Sequence, residues 1–241
     1  MSDNGVDNSR KEESSAPGKV AIEGKLPLTA IDIESQKDMS SGGFHPLLSL
    51  HKWFAARPVP AVRAAIIGSV YPGEIDNDDI LKLMQMSPKG MDSDISSHIK
   101  ERYSESKNGK SFEEHYGYAN PAGESPTSAQ IKNFHEELKS GWNGKIPTIL
   151  DPTSGRGIIP FESLRYNLPT KANELNPVAY LITKTGLEFA SNIGSLVHEV
   201  EEYRDSIHEQ AKSNIEKYYL TEEPGREVLN SAFTHMIRCD S

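Results

Sequence analysis

Four residues in the middle of the chain have types and a spacing suited to holding a charged small molecule: Asp151, Gly155, Gly157 and Glu174. Asp151 follows a short apolar run, Ile146 to Leu150, and precedes Pro152 and the turn Thr153-Ser154-Gly155-Arg156-Gly157. The two glycines permit positive φ and a close approach of backbone to a ligand. Free N–H groups at the start of the helix that follows favour an acceptor-rich or anionic group. Glu174 lies 17 residues after Gly157, at the end of the next strand, where a carboxylate accepts both hydroxyls of a ribose. A dinucleotide fingerprint has a third glycine where this chain has Pro160, and Asp151 would repel a pyrophosphate. An acid there suits a cationic or amino-bearing ligand instead. S-adenosylmethionine (SAM) has a sulfonium, an amine, a ribose and no phosphate, and fits this set of groups better than NAD.

The elements that position these residues follow from the pattern. Ile146 to Leu150 reads as a buried strand, stopped at Asp151-Pro152 because proline cannot donate to the ladder. Ile158, Ile159, Phe161 and Leu164 recur at helical spacing, and Asn167-Leu168-Pro169 closes that helix. Thr170 to Glu174 reads as a second strand. Asn176-Pro177 opens another helix, with proline in its first turn. Strand, glycine loop, helix, strand, acid, helix is one half of a nucleotide-binding α/β fold.

The run DPTSGRGIIPFESLRYNLPTKANELNPVAYLI resembles the SAM-binding motif of the adenine-specific DNA methylase family whose members carry a zinc ribbon. The resemblance implies a partial Rossmann-like class I methyltransferase core with N-terminal and inserted helices. Asp151, Pro152, Gly155 and Gly157 would then belong to the first SAM motif, and Glu174, Asn176 and Pro177 to the second. Asp151 would sit near the methionine amine and Glu174 would hold the ribose. The chain departs from the family at Arg156, where a small residue is usual; an arginine there either crowds the methionine end or points outward. A second stretch, FHPLLSLHKWFAARPVPAVRAAIIGSVY, resembles a family segment that precedes the glycine motif. It aligns His45-Pro46, His51-Lys52-Trp53 and Ala56-Arg57-Pro58, with Ala56 in place of an arginine, and implies that His45, Trp53 and Arg57 line the cofactor pocket. Read without the resemblance, His45 and His51 are ordinary satisfied histidines, Trp53 is core and Arg57 is a surface charge.

The resemblance spans Leu26 to Cys239, most clearly 44–63 and 148–188, and does not supply a catalytic motif. DNA amino-methyltransferases flip the base into a pocket and usually hold the amine with Asn or Asp, two prolines and an aromatic. The two Asn-Pro pairs, Asn120-Pro121 and Asn176-Pro177, lack the second proline and the aromatic. Cys239 stands where relatives begin the zinc ribbon, and one cysteine cannot make a four-ligand site. The expectation is a SAM-binding N-terminal portion of a DNA adenine-N6 methyltransferase, truncated or split and inactive alone, with no catalytic residue assigned. A non-catalytic SAM-binding or partner-binding module is the alternative, and an RNA or protein substrate stays open.

Composition bounds the rest. The 241 residues carry a net charge of −9, so DNA would be met through a missing C-terminal part or a partner chain rather than by the whole surface. No apolar run approaches a membrane span, and the single cysteine suits a reducing cytoplasm. Residues 1–19 read as a disordered tail, 20–72 as the N-terminal segment, 73–145 as an inserted helical lobe packing its own aromatics (Phe112, Tyr116, Tyr118), and 146–190 as the cofactor core. In 191–241, Leu196, Val200, Tyr203, Ile207, Ala211, Ile215 and Tyr218 step by three or four, predicting one long amphipathic helix whose stripe over 196–218 would self-associate or meet a partner.

Overall fold

Local capping chemistry sets most of the helix boundaries. In a computed structural model that describes residues 17–40, 45, 47, 57–189 and 193–215, α1 (Leu28–Ser40) is followed by α2 (Val59–Val70), with Pro58 at its N-cap and Pro60 in its first turn. The Asp76 carboxylate accepts the Asp78 and Asp79 N–H groups and starts α3 (Asn77–Leu83). Asp78 in turn accepts the Asp94 and Ile95 N–H groups, at 2.9 and 3.0 Å, and fixes the start of α4 (Ile95–Ser104). Capping boxes open α5 (Phe112–Tyr116), through Ser111 and Glu114, and α6 (Ser128–Gly141), through Thr127 and Gln130. Strand β1 (Ile149–Asp151), α7 (Ile158–Arg165), β2 (Thr170–Ala172) and α8 (Pro177–Lys184) follow, and a π-helical turn covers Thr185–Phe189. The fold class is mixed α/β, mostly helical, with one small parallel sheet.

Residues 1–189 form one unit, and 190–241 a second. Within the second, α9 (Ile193–Ile215) realises the long helix expected from the apolar stepping, with Tyr203 and Ile207 exposed. Residues 1–16 and Cys239 lie outside the described residues. Order is already present at Lys19 and Val20: Gly73 N–H donates to Lys19 O at 2.9 Å and Val20 bridges Pro72.

The division of 20–189 into three parts is not the structural one. Ile31 of α1, Val62 and Ile67 of α2, Ile80 and Leu81 of α3, Ile95 and Ile99 of α4, Phe134 and Leu138 of α6, and Ile158 of α7 share one core. Nor do the aromatics of the expected lobe pack only on one another. Phe112 and Tyr116 stack at 5.0 Å, and Lys37 of α1 places Nζ 3.0 Å from the Tyr116 ring centre. Tyr118 donates its hydroxyl to Glu34 of α1 at 2.7 Å, and Glu34 also pairs with Lys37. Burial pushes Lys37 down to about 8, against the pull of Glu34. Side chains with both apolar bodies and polar tips thus anchor this segment to α1 rather than letting it stand alone.

The sheet also differs from the expectation of a buried first strand over Ile146 to Leu150 and a second over Thr170 to Glu174. β1 and β2 are parallel, with Ile149 opposite Thr170 and Asp151 opposite Ala172. Ile149 packs against the core, but Leu150 is 67% exposed. Side chains alternate between faces along a strand. One face of this sheet is therefore covered, and the other is open among the described residues.

The deepest polar group ties these elements together. Glu162 of α7 is fully buried. Its Oε2 accepts from Arg63 Nε at 2.7 Å, and its Oε1 accepts from His45 Nε2 at 3.2 Å and faces Arg165 Nη1 at 3.3 Å. Arg63, also fully buried, donates its other N–H groups to Met84 O and Glu124 O at 2.9 and 2.6 Å. Removing one partner of a buried pair strands the other charge, at a cost of about 3–5 kcal/mol. Glu162→Ala should lower unfolding free energy by about that much in urea titration, whereas Arg63→Met with Glu162→Leu should recover most of it. A loss under about 1 kcal/mol would place the pair with exposed ion pairs and refute its structural role.

Candidate cofactor site

The chemistry-bearing residues meet at the C-terminal ends of β1 and β2, where open α/β sheets bind ligands. β1 ends at Asp151, which is 4% exposed. Its Oδ1 accepts the Thr153 N–H at 3.2 Å, and its Oδ2 is buried without a hydrogen-bond partner. Burial raises the Asp151 carboxyl above the usual carboxylate range; the Thr153 N–H opposes this and the charge of Glu174 adds to it. The loop then runs through Gly155 at φ +54° and Gly157 at φ +87°, and Gly157 is the N-cap of α7.

Each glycine has an identifiable neighbour. A Cβ at Gly157 would lie 2.9 Å from Thr183 Oγ1, so this glycine is required both by its positive φ and by the close approach of α8. Thr183 donates its hydroxyl to Gly155 O at 3.0 Å, and Gly155 N–H donates to Glu174 Oε2 at 2.6 Å. Glu174 Oε1 accepts the Leu175 and Asn176 N–H groups at 2.9 and 3.0 Å. The N–H groups of Asn176 and Gly155, with that of Leu175, hold the Glu174 carboxyl below the usual range. Asn176 caps α8 by accepting the Val178 and Ala179 N–H groups, and Pro177 is its first residue. Asn173 N–H donates to Asp151 O at 2.8 Å and Ser154 N–H to Asn173 O at 3.0 Å, which continues the strand pairing into the loop.

A cavity of about 170 Å³ lies beside this loop, lined by Ser154, Asn173, Glu174, Tyr180, Thr183 and Lys184, with Ala172, Leu187 and Glu188 completing the wall. It is smaller than the roughly 300–1,000 Å³ of a complete ligand pocket. Its volume is that of a fragment of a SAM-sized molecule, and Leu175, next to Glu174 in sequence, is 95% exposed.

The expected site residues divide accordingly. Asp151, Gly155, Gly157, Glu174, Asn176 and Pro177 come together in one loop system, with Pro152 exposed at its edge. His45 goes elsewhere. It is buried against Glu162 and edge-on to Phe161, with ring centres 4.7 Å apart. Its Nδ1 accepts the Leu47 N–H at 3.2 Å, so the ring hydrogen sits on Nε2, toward Glu162. That is the satisfied-histidine alternative. Arg57 is exposed, and Trp53 and His51 lie outside the described residues. Thr183 and the Arg63–Glu162 pair were not among the residues selected from sequence. The only sequence signal for the latter is a glutamate inside an apolar helix with Arg165 three residues on.

Residues 25–90, spanning α1 to α3, match the model of a family described as a protein of unknown function (DUF1156). No curated protein and no solved structure matches the chain. Among the described residues, no helix is long and apolar enough to cross a membrane.

The groups at the loop suit a cation-bearing nucleoside. Asp151 Oδ2 lacks a donor, which an ammonium would supply, and Glu174 presents a carboxylate two residues past the end of β2. In the ligand-free fold Asp151 is a liability. Its folded-state titration lies above the unfolded one, so its contribution is present at low pH and is lost as pH rises through the folded value. Asp151→Asn should therefore raise the melting temperature of the ligand-free protein at pH 7, by an amount on the order of 1 kcal/mol in stability. The gain should shrink as pH falls and vanish below the ordinary carboxylate range, where the wild-type carboxyl is protonated in the folded and the unfolded state alike. Equal melting temperatures for both proteins across that range would show that the charge is solvated.

Proposed function

We propose that this chain binds SAM through the Asp151–Gly157 loop and Glu174, as the cofactor-holding portion of a methyltransferase acting on adenine in DNA. The observation that carries the reading is the junction of Glu174 with the glycine loop: the acid two residues past the end of β2 meets Gly155 N–H at 2.6 Å, four residues from the buried, half-paired Asp151 end of the loop it closes. A ribose diol donating to Glu174 and an ammonium donating to Asp151 use acceptors already fixed in place, which limits the ordering cost of binding. The mixed α/β fold, with a parallel pair and ligand groups at its C-terminal edge, is compatible with a Rossmann-like core. The DNA and adenine parts of the proposal rest on the sequence resemblance.

The chain is not assigned the chemical step. Methyl transfer to an amine needs acceptors that hold the target nitrogen, and the run that would supply them is absent from the sequence. A second reading, a subunit that must meet a partner, is favoured by one observation: Leu150 is exposed on the open face of a parallel sheet, a class of sheet normally covered on both faces. On that reading the partner supplies the remaining layer and the catalytic groups, and the protein would work in the cytoplasm with DNA reached only through the assembly.

Calorimetric titration of the purified chain with SAM tests the proposal. Binding should be measurable, and Glu174→Ala should weaken it through the loss of charge-assisted hydrogen bonds. The chain alone should transfer no methyl group from SAM to adenine in DNA. A folded protein that does not bind SAM would sink the cofactor assignment, and methylation by the isolated chain would sink the division of labour.

A further inference from the structure

The sequence carries Asn-Gly pairs at 4–5, 108–109 and 143–144, and the first lies outside the described residues. In such a pair the glycine nitrogen can attack the asparagine side-chain amide, because no Cβ on the glycine shields it. The pairs at 108–109 and 143–144 are closely matched. Each is followed by a lysine, Lys110 or Lys145. Each forms the centre of a tight turn: Lys110 N–H donates to Lys107 O at 2.9 Å, and Lys145 N–H donates to Trp142 O at 3.0 Å. Asn108 and Gly109 have φ of +44° and +81°, and Asn143 and Gly144 have +48° and +78°. Positive φ at both central residues is the type I′ pattern that Asn-Gly favours. All four residues are exposed. Neither the following residue, nor the turn geometry, nor exposure separates the two pairs.

Hydrogen bonding separates them. Gly144 N–H donates to Lys139 O of α6 at 2.8 Å, which closes the end of that helix. Trp142, the first residue of the same turn, donates its indole N–H to Val70 O at 2.7 Å. The Gly109 N–H makes no hydrogen bond among the described residues. Its turn lies in the polar connection between α4 and α5, and Asn108 Oδ1 accepts the Ser106 hydroxyl at 2.7 Å. A donor on that oxygen draws electrons from the amide carbon and stabilises negative charge that develops there during attack. One turn therefore ties its nucleophile to a helix, and the other leaves it untied beside a polarised amide.

We infer that Asn108 is a site of spontaneous covalent modification, an intramolecular deamidation that the fold directs to this pair and away from Asn143. The Gly109 nitrogen gives its proton to solvent and bonds to Asn108 Cγ. The Cγ–Nδ2 bond then breaks, and the amide nitrogen takes a proton and leaves as ammonia. The product is a five-membered succinimide. Solvent water opens it at either carbonyl, giving aspartate or an isoaspartate whose main chain runs through the former side chain. Water is the only co-reactant. Either product places a carboxylate between Lys107 and Lys110 in sequence. The charge of Lys107 acts on Lys37 of α1, so conversion changes the electrostatics of the contact that holds α5 to α1. The inference is independent of the SAM reading.

The test incubates the full folded chain in neutral buffer made with heavy-oxygen water, so that only conversion during incubation carries the label. A glutamate-specific protease releases Ser106 to Glu113 as one peptide, and mass spectrometry follows labelled Asp and isoAsp at 108 and at 143 over time. Asn108 should convert roughly 2- to 12-fold faster than Asn143, the factor set by one hydrogen bond that must open before attack. In urea, where both turns are lost, the two rates should converge. Ser106→Ala, an exposed change whose folding circular dichroism checks, should slow conversion at 108 and leave 143 as it was. Equal rates in the folded chain, or faster conversion at Asn143, overturn the inference. A ratio that persists unchanged in urea also overturns it, because the difference would then belong to the local sequence and not to the fold. An unchanged rate at 108 in folded Ser106→Ala refutes the part given to the hydroxyl.

Discussion

Glu162 carries a charge in a place that water does not reach, and this constrains everything around it. A buried carboxylate is tolerable only when opposite charges and hydrogen-bond donors replace its hydration. Here the hydrogen bonds come from His45 and from Arg63 of α2, and a further positive charge from Arg165, one turn along α7. Burial raises the Glu162 titration, but the His45 hydrogen bond and the two guanidinium charges outweigh it and hold the carboxyl below its ordinary range. Arg63 then extends the network to Met84 O and Glu124 O, and Arg165 donates to Ala122 O and Glu124 O. Loss of Arg63 would take its donors from Glu162 Oε2, Met84 O and Glu124 O together. That coupling fixes α7 against α2, and the glycine loop is the segment that leads into α7.

The loop inherits this rigidity and adds its own closure. Gly157 admits Thr183 at a distance no side chain would allow, Thr183 holds Gly155 O, and Gly155 N–H meets Glu174. Glu174 in turn takes the first N–H groups after β2, and Asn176 caps α8, which carries Thr183. The contacts form a ring: loop to α8, α8 to its cap, cap to Glu174, Glu174 back to the loop. A site arranged this way is set before a ligand arrives, so binding energy is not spent on ordering it. The unpartnered Asp151 Oδ2 and Arg156 donors are the groups the ring does not satisfy. Unpartnered buried polar atoms thus cluster at this loop, and a functional site is where such local rules are broken.

What was legible in the sequence was local. The parallel pair, the glycine turn, the Asn176-Pro177 helix start and the amphipathic run after residue 190 all announce themselves by spacing and turn chemistry. Helix starts are also legible as capping residue types: Asp76 caps α3 and the Thr127–Gln130 box opens α6. The fate of His45 was not. Its partner Glu162 is 117 residues away and Arg63 is 99 residues from the same carboxylate, and no periodicity encodes a pairing at that range. The resemblance placed His45 at the cofactor, whereas the structure uses it to tie the segment before α2 to α7. Leu150 failed for a related reason. An apolar residue in a strand pattern states a preference for burial, and whether a second layer covers it is decided by chain that the pattern does not contain.

The open sheet face bears on how the site would work. Leu150 is exposed in β1, immediately before Asp151, and Leu175 is exposed immediately after Glu174. The uncovered apolar groups therefore flank both acids that the SAM reading assigns to the ligand. A layer that covered these exposed residues would lower the local dielectric around Glu174 and strengthen its charge-assisted contacts, whereas Asp151 lies on the already covered face of β1. It would also exclude water from a cavity that by itself encloses only part of a SAM-sized molecule. Under the proposed function, cofactor affinity and partner binding are then coupled through one surface, and by linkage each must favour the other to the same degree. The loop supplies orientation and the covering layer supplies enclosure, so the two readings, cofactor portion and partner-dependent subunit, describe one site at different stages of assembly.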